Sequence, residues 1–256
     1  TLCQEAWLEA ARPAAVVWPW ENHPWERALV HAAHKRNIAT VGYQHTVVGR
    51  HIYNYSPAAN PDGSDGMPRT ILCNGPAFRS QLAALGVPRD RLVVAGSFRI
   101  AVPDASIHDR DGPVFVALSN DPEICRQMMA ALGKVARPGR RFLVKGHPMY
   151  PYAISETGSI RATWVPLPEQ PAVSAVLYST GTVGLEALLS GLPTIRFLPE
   201  ARIATDILPP GVVPVTVDAE SLDAALDAMD PPPPVPRCSV ISPVDLDVWR
   251  RYLPAA

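Results

Sequence analysis

The chain has 256 residues, of which 47% are hydrophobic and 18% charged, and its formal net charge at pH 7 is −1. This length is enough for one large hydrophobic core or two smaller ones. The balanced charge lacks the basic excess that nucleic-acid binding requires, so nucleic acid is not an expected partner. No apolar stretch approaches the roughly 18 residues of a membrane-spanning helix, and the first residues lack a signal-peptide pattern. We therefore expect a soluble cytoplasmic protein, with peripheral association with the inner membrane left open.

The four cysteines, Cys3, Cys73, Cys125 and Cys238, are scattered along the chain. They form no C-x-x-C pair, and no histidine stands at metal-ligand spacing from them. The sequence therefore predicts neither a zinc site nor a disulfide framework.

Short apolar runs alternate with helix-length amphipathic segments along the chain. The predicted strands are Ala15–Trp18, Thr40–Tyr43, Thr70–Cys73, Leu92–Ala95, Val114–Leu118, Phe142–Lys145, Thr163–Pro166, Ala175–Tyr178, Thr194–Phe197 and Val213–Val217. The predicted helices are Leu2–Ala11, Pro24–Arg36, Pro76–Leu85, Pro122–Val135, a short Gln170–Val173, Thr182–Leu189, Ser221–Met229 and Pro243–Tyr252. The alternation predicts an α/β fold with parallel sheets and helices on both faces.

One polar stretch without periodicity, Ile100–Gly112, interrupts this alternation and is interpreted as an interdomain linker. It divides the chain into an N-terminal domain at residues 1–105 and a C-terminal domain at 106–235, with the ligand cleft expected between them. The first domain begins on a helix and has only about four strands, so we expect it to be incomplete. The prolines at Pro231–Pro234 form a stiff spacer. Residues 236–256 are expected to return to the N-terminal domain.

Ligands of parallel α/β sheets bind beyond the carboxyl ends of the strands, so residues directly after strands are candidate site residues. After the strand ending at Lys145 comes Gly146-His147-Pro148. Pro148 fixes the turn and restricts His147 to extended geometry. The imidazole of His147 is suited to donate a proton or hydrogen bond to a phosphate oxygen. The alternative is a surface histidine that caps a turn.

The strand Ala175–Tyr178 is followed by the hydroxyl- and glycine-rich segment Ser179-Thr180-Gly181-Thr182 and then by a helix. Small residues at a helix N-terminus leave backbone N–H groups available for phosphate. The segment matches neither the P-loop nor the G-x-G-x-x-G motif, which disfavours ATPase and dinucleotide functions. Glu186 in the helix is close enough to reach a ribose hydroxyl, or it complements the helix dipole. The alternative is an ordinary capped core helix.

An acidic and aromatic segment, residues 19–26, follows the first predicted strand and contains Trp20, Glu21, Trp25 and Glu26. A carboxylate in an aromatic pocket is suited to act as a general base on a hydroxyl. The alternative is that Glu26 complements the helix dipole. His45 follows the next strand and is expected to line the same region, or to be a packed polar residue.

His147-Pro148 with Ser179-Thr180 about thirty residues later resembles the His-Pro and Ser-Ser/Thr motifs of bacterial sialyltransferases and Kdo transferases. These are glycosyltransferases of the two-Rossmann GT-B type that use CMP-activated sugars. The segment Glu21-Asn22-x-Pro24-Trp25-Glu26, with Tyr43-Gln44-His45-Thr46 after it, resembles bacterial proteins of surface-carbohydrate biosynthesis.

The resemblance implies two Rossmann-like domains and transfer of a nonulosonic acid or Kdo-like sugar to a hydroxyl of a surface glycan or glycolipid. It implies that His147 acts on the CMP phosphate as an acid or electrophile and that Ser179 and Thr180 bind that phosphate. The donor-binding set expected from strand ends and resemblance together is His147, Pro148, Ser179, Thr180, Gly181, Thr182 and Glu186. Enzymes of this type need no metal, and we expect no cofactor.

The sialyltransferase base belongs to an acidic-acidic-Gly motif that this sequence lacks. Glu26 is the first candidate by position because it follows Pro24-Trp25, with Glu21 second and His45 third. Tryptophan faces suit the apolar faces of sugar rings, so Trp20 and Trp25, with His45, are the expected acceptor-side residues. Alternatives are a CDP-glycerol-type polyol-phosphate transferase, a UDP-sugar epimerase, and a noncatalytic subunit of carbohydrate biosynthesis.

Overall fold

The computed structural model describes residues 2–49, 51–100, 107–231 and 235–253. They form two compact units. The first comprises the chain up to Ile100 together with the C-terminal segment from Pro236, and the second comprises the residues between.

The elements alternate along the chain as the sequence predicts. The strands are β1 (Ala15–Pro19), β2 (Ala39–Tyr43), β3 (Thr70–Cys73), β4 (Leu92–Val94), β5 (Val114–Ala117), β6 (Phe142–Lys145), β7 (Ile160–Ala162), β8 (Ala175–Tyr178), β9 (Thr194–Phe197) and β10 (Val215–Val217). The α-helices are α1 (Leu2–Ala11), α2 (Pro24–His34), α3 (Pro76–Ala84), α4 (Pro122–Val135), α5 (Val183–Leu189), α6 (Leu222–Asp227), α7 (Arg237–Val240) and α8 (Leu246–Tyr252). The predicted two-sheet α/β fold class is confirmed.

The first unit is built on a four-stranded parallel sheet of order β1-β2-β3-β4. Its strands are short and mostly buried, as expected for a parallel sheet covered by helices. Helices α1 and α2 pack over β1 and bury Leu8, Val16 and Ala33. This part of the sheet therefore has a covered hydrophobic core.

The C-terminal segment completes the first unit. The backbone N–H of Ser242 donates to the carbonyl of Asn74 at 3.0 Å, and that of Asp245 donates to the carbonyl of Ala95 at 3.0 Å. The Trp249 side chain is buried among residues of β2, β3 and the end of β4, and its indole N–H donates to the Ala95 carbonyl at 3.2 Å. Helix α8 begins at Leu246, later than the predicted Pro243, because residues 243–245 lie extended along the end of β4.

Gly96 is the tightest point of this contact. Its φ is +85°, and a Cβ there would lie 2.0 Å from the Pro243 carbonyl oxygen. Gly96→Ala is expected to lower the free energy of unfolding by about 1–3 kcal/mol more than Gly86→Ala, because only Gly96 adds overpacking to backbone strain. Gly86 has a similar φ of +95°, but its Cβ would meet only Pro57, at 3.6 Å. Urea unfolding of the two variants measures the difference, and equal losses would contradict the docking of the C-terminal segment.

The second unit contains a six-stranded parallel sheet of order β10-β9-β8-β5-β6-β7. From β5 the chain first proceeds to one side through β6 and β7 and then returns to build the other side from β8 to β10. The order therefore reverses between β5 and β8. In open parallel sheets, ligands bind at the carboxyl ends of the strands at such a reversal.

Two predicted elements of the second unit are wrong. The strand expected at Thr163–Pro166 lies earlier, at β7, where buried Ile160 pairs with Phe142. The segment after it has β-prone side chains, but Trp164 is 82% exposed. The helix expected at Gln170–Val173 is instead a 3₁₀ turn at Leu167–Glu169, because Pro171 disfavours helical geometry at the residue before it.

Part of each predicted connection lies outside the described residues. Residues 101–106 of the expected linker and 232–234 of the expected spacer fall there. Within the linker, Ile107 and Asp109 are hydrogen-bonded through their backbones to Val173, both at 2.9 Å, and so belong to the second unit. Over the part of the chain that is described, no helix has both the length and the apolar character to cross a membrane.

Candidate functional site

The strand-order reversal of the second unit brings two hydroxyl groups together. Ser119 follows β5 and Thr180 follows β8, and their side-chain oxygens are 3.0 Å apart. The Ser119 hydroxyl also accepts the backbone N–H of Asp121 at 3.2 Å. Thr180 is half-buried. Together they form a hydroxyl pair at the position where this fold class binds ligands.

Ser179, the other predicted phosphate ligand, does not reach the surface. Its side chain is fully buried, and its hydroxyl has no hydrogen-bond partner among the residues that the structure describes. Its carbonyl oxygen accepts a hydrogen bond from Nε of buried Arg196 at 3.3 Å, and Arg196 also donates to the carbonyl of Ala204 at 2.7 Å. Ser179 therefore fixes the carboxyl end of β8 through its backbone. Thr180 carries the hydroxyl that is available at this edge of the sheet.

Two positions after β8 require glycine, each for a different structural reason. Gly181 has a φ of +124°, a conformation that side chains other than glycine rarely adopt. A Cβ at Gly184 would lie 2.1 Å from the Tyr178 ring, so α5 packs directly on that ring. Thr182 precedes α5 but makes no side-chain cap hydrogen bond, and Glu186 lies half-buried in the helix. The roles predicted for Thr182 and Glu186 stay predictions.

His147 is held in a tight turn at the end of β6. Its Nδ1 accepts the backbone N–H of Met149 at 3.3 Å, and its ring contacts that of Tyr150 at 5.3 Å between centroids. Because Nδ1 accepts a hydrogen bond, neutral His147 carries its proton on Nε2. In that neutral form Nε2 is the nitrogen that can donate, and Pro148 beside it is exposed.

The strands that end before His147 and Ser179 are not neighbours in the sheet, because β5 lies between β6 and β8. The register places Ala117 opposite both Lys145 and Tyr178, so Ser119 stands level with His147 on one side and Thr180 on the other. The backbones at His147 and Thr180 are therefore two strand spacings apart, each of about 4.8 Å. Ser119 is the central residue, and its place directly after a predicted strand was a signal that the sequence analysis did not use.

In the first unit, the carboxylate of Glu26 closes the turn that starts α2. It accepts the backbone N–H of His23 at 2.9 Å and that of Glu21 at 3.1 Å, the pattern of a capping box. Only 6% of Glu26 is exposed, and burial raises its pKa above the ordinary 4.5 against the lowering effect of these hydrogen bonds. This geometry gives Glu26 a structural role, so we move the candidate base from Glu26 to Glu21.

The turn between β1 and α2 is fixed by further polar contacts. Asn22 has a φ of +60°, and its side chain donates to the Asn54 carbonyl at 2.6 Å and accepts from buried Arg27 at 3.0 Å. Asn54 in turn donates to the Glu21 carbonyl at 2.6 Å. The Glu-Asn-x-Pro-Trp-Glu segment thus specifies a rigid turn that presents the Glu21 side chain.

Glu21 lies between two histidines. Its Oε2 is 2.9 Å from Nε2 of His23, and its Oε1 is 3.3 Å from Nε2 of His45. The Glu21 side chain is 32% exposed. The three side chains form an acid–base cluster, which we call the Glu21 cluster, at the carboxyl ends of β1 and β2.

The two predicted acceptor-side tryptophans have different environments. Trp20 is fully buried and packs edge-on against Tyr55 at 4.9 Å, so it is a core residue and not an acceptor surface. Trp25 is 59% exposed and stacks on His23 at 4.3 Å between ring centroids. Trp25 is therefore the aromatic face beside the Glu21 cluster.

The protein should lose stability as the pH falls below about 6.5. Burial lowers the pKa of His34 and His45 below 6.5. As the pH falls, the unfolded chain therefore binds protons at a higher pH than the folded chain does. The two histidines make their full contribution to the free energy of unfolding above pH 6.5. This contribution is lost as the pH falls from 6.5 toward their pKa values in the folded protein. Urea unfolding at about pH 7.5 and about pH 5.5 should show a smaller loss for His45→Asn than for the wild type. The raised pKa of Glu26 acts in the opposite direction, but it does so in both proteins and so cancels in the comparison. Equal losses in the two proteins would contradict a lowered His45 pKa.

Within residues 2–49, 51–100, 107–231 and 235–253, no group of three or more His, Cys, Asp or Glu side chains is arranged to hold a metal ion.

Neither a protein-family model nor any curated protein matches this sequence. Solved structures do match its fold. UDP-GlcNAc 2-epimerase from Methanocaldococcus jannaschii, in complex with UDP-GlcNAc and UDP, is similar over 89% of this chain and 72% of its own, with 13% identity and a TM-score of 0.53. Glycosyltransferase SnogD from Streptomyces nogalater is similar over 89% of this chain and 73% of its own, with 15% identity and a TM-score of 0.51.

The chain spans 62% of the UDP-GlcNAc 2-epimerase from Neisseria meningitidis, which covers 76% of this chain at 13% identity and a TM-score of 0.49. The matching structures therefore include a glycosyltransferase and a UDP-GlcNAc 2-epimerase. At these identities the likeness concerns the fold, which is of the GT-B type.

Proposed function

We propose that the chain is a glycosyltransferase that moves a sugar from a nucleotide donor to a hydroxyl of a glycan or glycolipid. The observation that carries the proposal is the hydroxyl pair of Ser119 and Thr180 at the strand-order reversal of a GT-B-type sheet. The Glu21 cluster in the first unit supplies the acid–base group that such a transfer needs. Trp25 supports a sugar acceptor because its exposed ring offers an apolar face.

In the proposed reaction, the second unit binds the phosphate next to the donor sugar. One hydroxyl hydrogen of the pair lies in the hydrogen bond between Ser119 and Thr180. The half-buried Thr180 therefore donates to a phosphate oxygen, the buried Ser119 orients it, and His147 donates through Nε2. The bond between the anomeric carbon and the phosphate oxygen breaks, and its electron pair leaves on the phosphate. These donors stabilise that developing charge.

The acceptor hydroxyl forms the new bond to the anomeric carbon, and its proton passes to the Glu21 carboxylate. His45 and His23 contact the two Glu21 oxygens and orient them. A general base of this kind typically contributes about 10²–10⁴ in rate. No metal enters this scheme, because hydrogen-bond donors alone stabilise the leaving phosphate.

For the donor we propose a CMP-activated nonulosonic acid or Kdo-like sugar, on the resemblance of His147-Pro148 and Ser179-Thr180 to the sialyl and Kdo transferase motifs. A UDP-sugar epimerase is the second candidate, because the fold matches the epimerase from Methanocaldococcus jannaschii over 89% of this chain. An epimerase would interconvert a UDP-sugar without a separate acceptor. We place the reaction in the cytoplasm, with the acceptor at the inner membrane if it is a glycolipid.

Replacement of the hydroxyl pair tests the donor site. Thr180→Val with Ser119→Ala is expected to weaken nucleotide-sugar binding about tenfold or more, because the one hydrogen bond that the pair donates to a charged phosphate is worth about 1.5–3 kcal/mol. Thr216→Val is the matched control, because Thr216 is exposed on β10 at the far edge of the sheet. Calorimetric titration gives the dissociation constants. Unchanged binding in the double variant would contradict the proposed phosphate site.

A further inference from the structure

The second unit also has an open cavity of about 420 Å³ at the amino edge of its sheet. Val114 and Ala175, the first residues of β5 and β8, line it. The cavity is thus at the opposite end of these strands from Ser119 and Thr180. The proposed sugar transfer does not use it.

Cationic side chains dominate the polar lining of this cavity. Arg110, Arg140 and Arg141 contribute to it, against the carboxylates of Asp227 and Asp230, and the imidazole of His108 also lines the cavity. The Asp227 carboxylate is already paired with Arg137, outside the lining, at 2.8 Å, and also with Arg140. Arg137 and Arg140 together balance Asp223 and Asp227. The excess of positive charge in the cavity therefore comes from Arg110 and Arg141 against Asp230.

The arginines are held in place by contacts that leave donors unused. Arg140 has a side chain only 10% exposed and is anchored by Asp223 and Asp227 of α6. Arg141 donates from one terminal nitrogen to the Asp111 carbonyl at 2.9 Å. Arg110 makes no hydrogen bond or ion pair among the described residues. Each guanidinium has five N–H donors, so donors remain at Arg110 and Arg141.

The rest of the lining is small or apolar. Gly112, Gly139 and Ser174 leave space, and Leu226 and Met229 add hydrophobic surface. The volume falls in the range of about 300–1,000 Å³ that is usual for small-molecule sites. A ligand that matches the cavity therefore has a compact organic body as well as an anionic group.

We propose that this cavity is a second ligand site that binds a phosphate monoester, either a nucleoside monophosphate or a sugar phosphate. The planar guanidinium fork pairs with two phosphate oxygens at once, which favours phosphate over a spherical anion. Arg110 and Arg141 bind the phosphate, and Arg140 is fixed beside them by α6. The organic body packs on Leu226 and Met229.

Titration calorimetry of the full chain tests this site with CMP, glucose 1-phosphate, inorganic phosphate and uncharged cytidine as probes. We expect CMP or glucose 1-phosphate to bind, inorganic phosphate to bind more weakly, and cytidine not to bind at this site. Arg110→Ala with Arg141→Ala should weaken this binding about 100-fold, at about tenfold for each lost charge-assisted contact. Higher salt should weaken it too, because its origin is electrostatic. Both arginines are exposed, so their removal leaves the core intact.

The control Arg89→Ala with Arg161→Ala removes the same charge from exposed positions outside the cavity and should leave binding unchanged. Thr180→Val with Ser119→Ala separates the two proposals, because it affects only the donor site. If it abolishes all binding of phosphate monoesters while the Arg110/Arg141 variant binds normally, the second site is refuted and the donor site stands. The second site is also refuted if the Arg89/Arg161 control weakens phosphate-monoester binding equally, or if neither monoester shows saturable binding.

Discussion

Glu21→Gln is expected to reduce the rate of sugar transfer about 10²–10⁴-fold, because the amide keeps the side-chain shape but does not accept the acceptor's proton. Donor binding should stay within about twofold of the wild type, since the donor groups belong to the second unit. The measurement is kcat for transfer together with the dissociation constant of the donor. A loss of donor affinity that equals the loss of rate would contradict a base role for Glu21.

Glu26→Gln is the matched control for that experiment. Glutamine at this position is compatible with the capping box, so the turn at His23 should stay closed and the rate should change little. Glu26 was the first candidate from the sequence, and the pair of variants decides between the two carboxylates. If Glu26→Gln abolishes transfer and Glu21→Gln does not, Glu26 is the base.

His147→Ala is expected to lower kcat about 10²–10⁴-fold with little change in melting temperature. The half-buried ring lies at a strand end and contributes little to the core. Its Nε2–H is the proposed donor to the leaving phosphate, and that donor is lost. Steady-state kinetics and thermal unfolding of the same preparation measure the two effects.

His147→Asn distinguishes a catalytic from a structural role for this histidine. The asparagine oxygen replaces Nδ1 as acceptor for the Met149 N–H, so the turn is preserved, but nothing replaces Nε2. We expect the asparagine variant to be as slow as the alanine variant. Recovery of the rate in His147→Asn would show that His147 only holds the turn.

The sequence predicts the strand ends of both units well, because apolar runs bounded by glycine, proline and hydroxyl residues are local signals. His147, Thr180 and Glu21 were found for this reason. The positions of β6 and β8 agree with the sequence prediction at both ends. The β7 strand was misplaced because an edge strand with exposed Arg161 has little periodicity to distinguish it from the β-prone Thr163–Val165 segment.

Local sequence patterns do not predict the order of the strands in a sheet. Ser119 became central only because β5 lies between β6 and β8, and that order depends on how the helices cross over the sheet. Likewise, the sequence allows either Glu21 or Glu26 as the base. Their roles separate only when the turn closes and backbone N–H groups take up the Glu26 carboxylate.

The most direct test of the proposed function is calorimetric titration of the wild-type chain with CMP, CDP, UDP and GDP, followed by transfer assays with the matching activated sugars. We predict saturable binding of CMP, loss of the donor-site affinity in Thr180→Val with Ser119→Ala, and transfer from a CMP-sugar to a hydroxyl acceptor. Thermal unfolding gives an independent readout, because a ligand at a hundredfold excess over its Kd stabilises the folded state by about 2.7 kcal/mol. Binding of none of the four nucleotides, or turnover of a UDP-sugar without an acceptor, would contradict the proposed transferase.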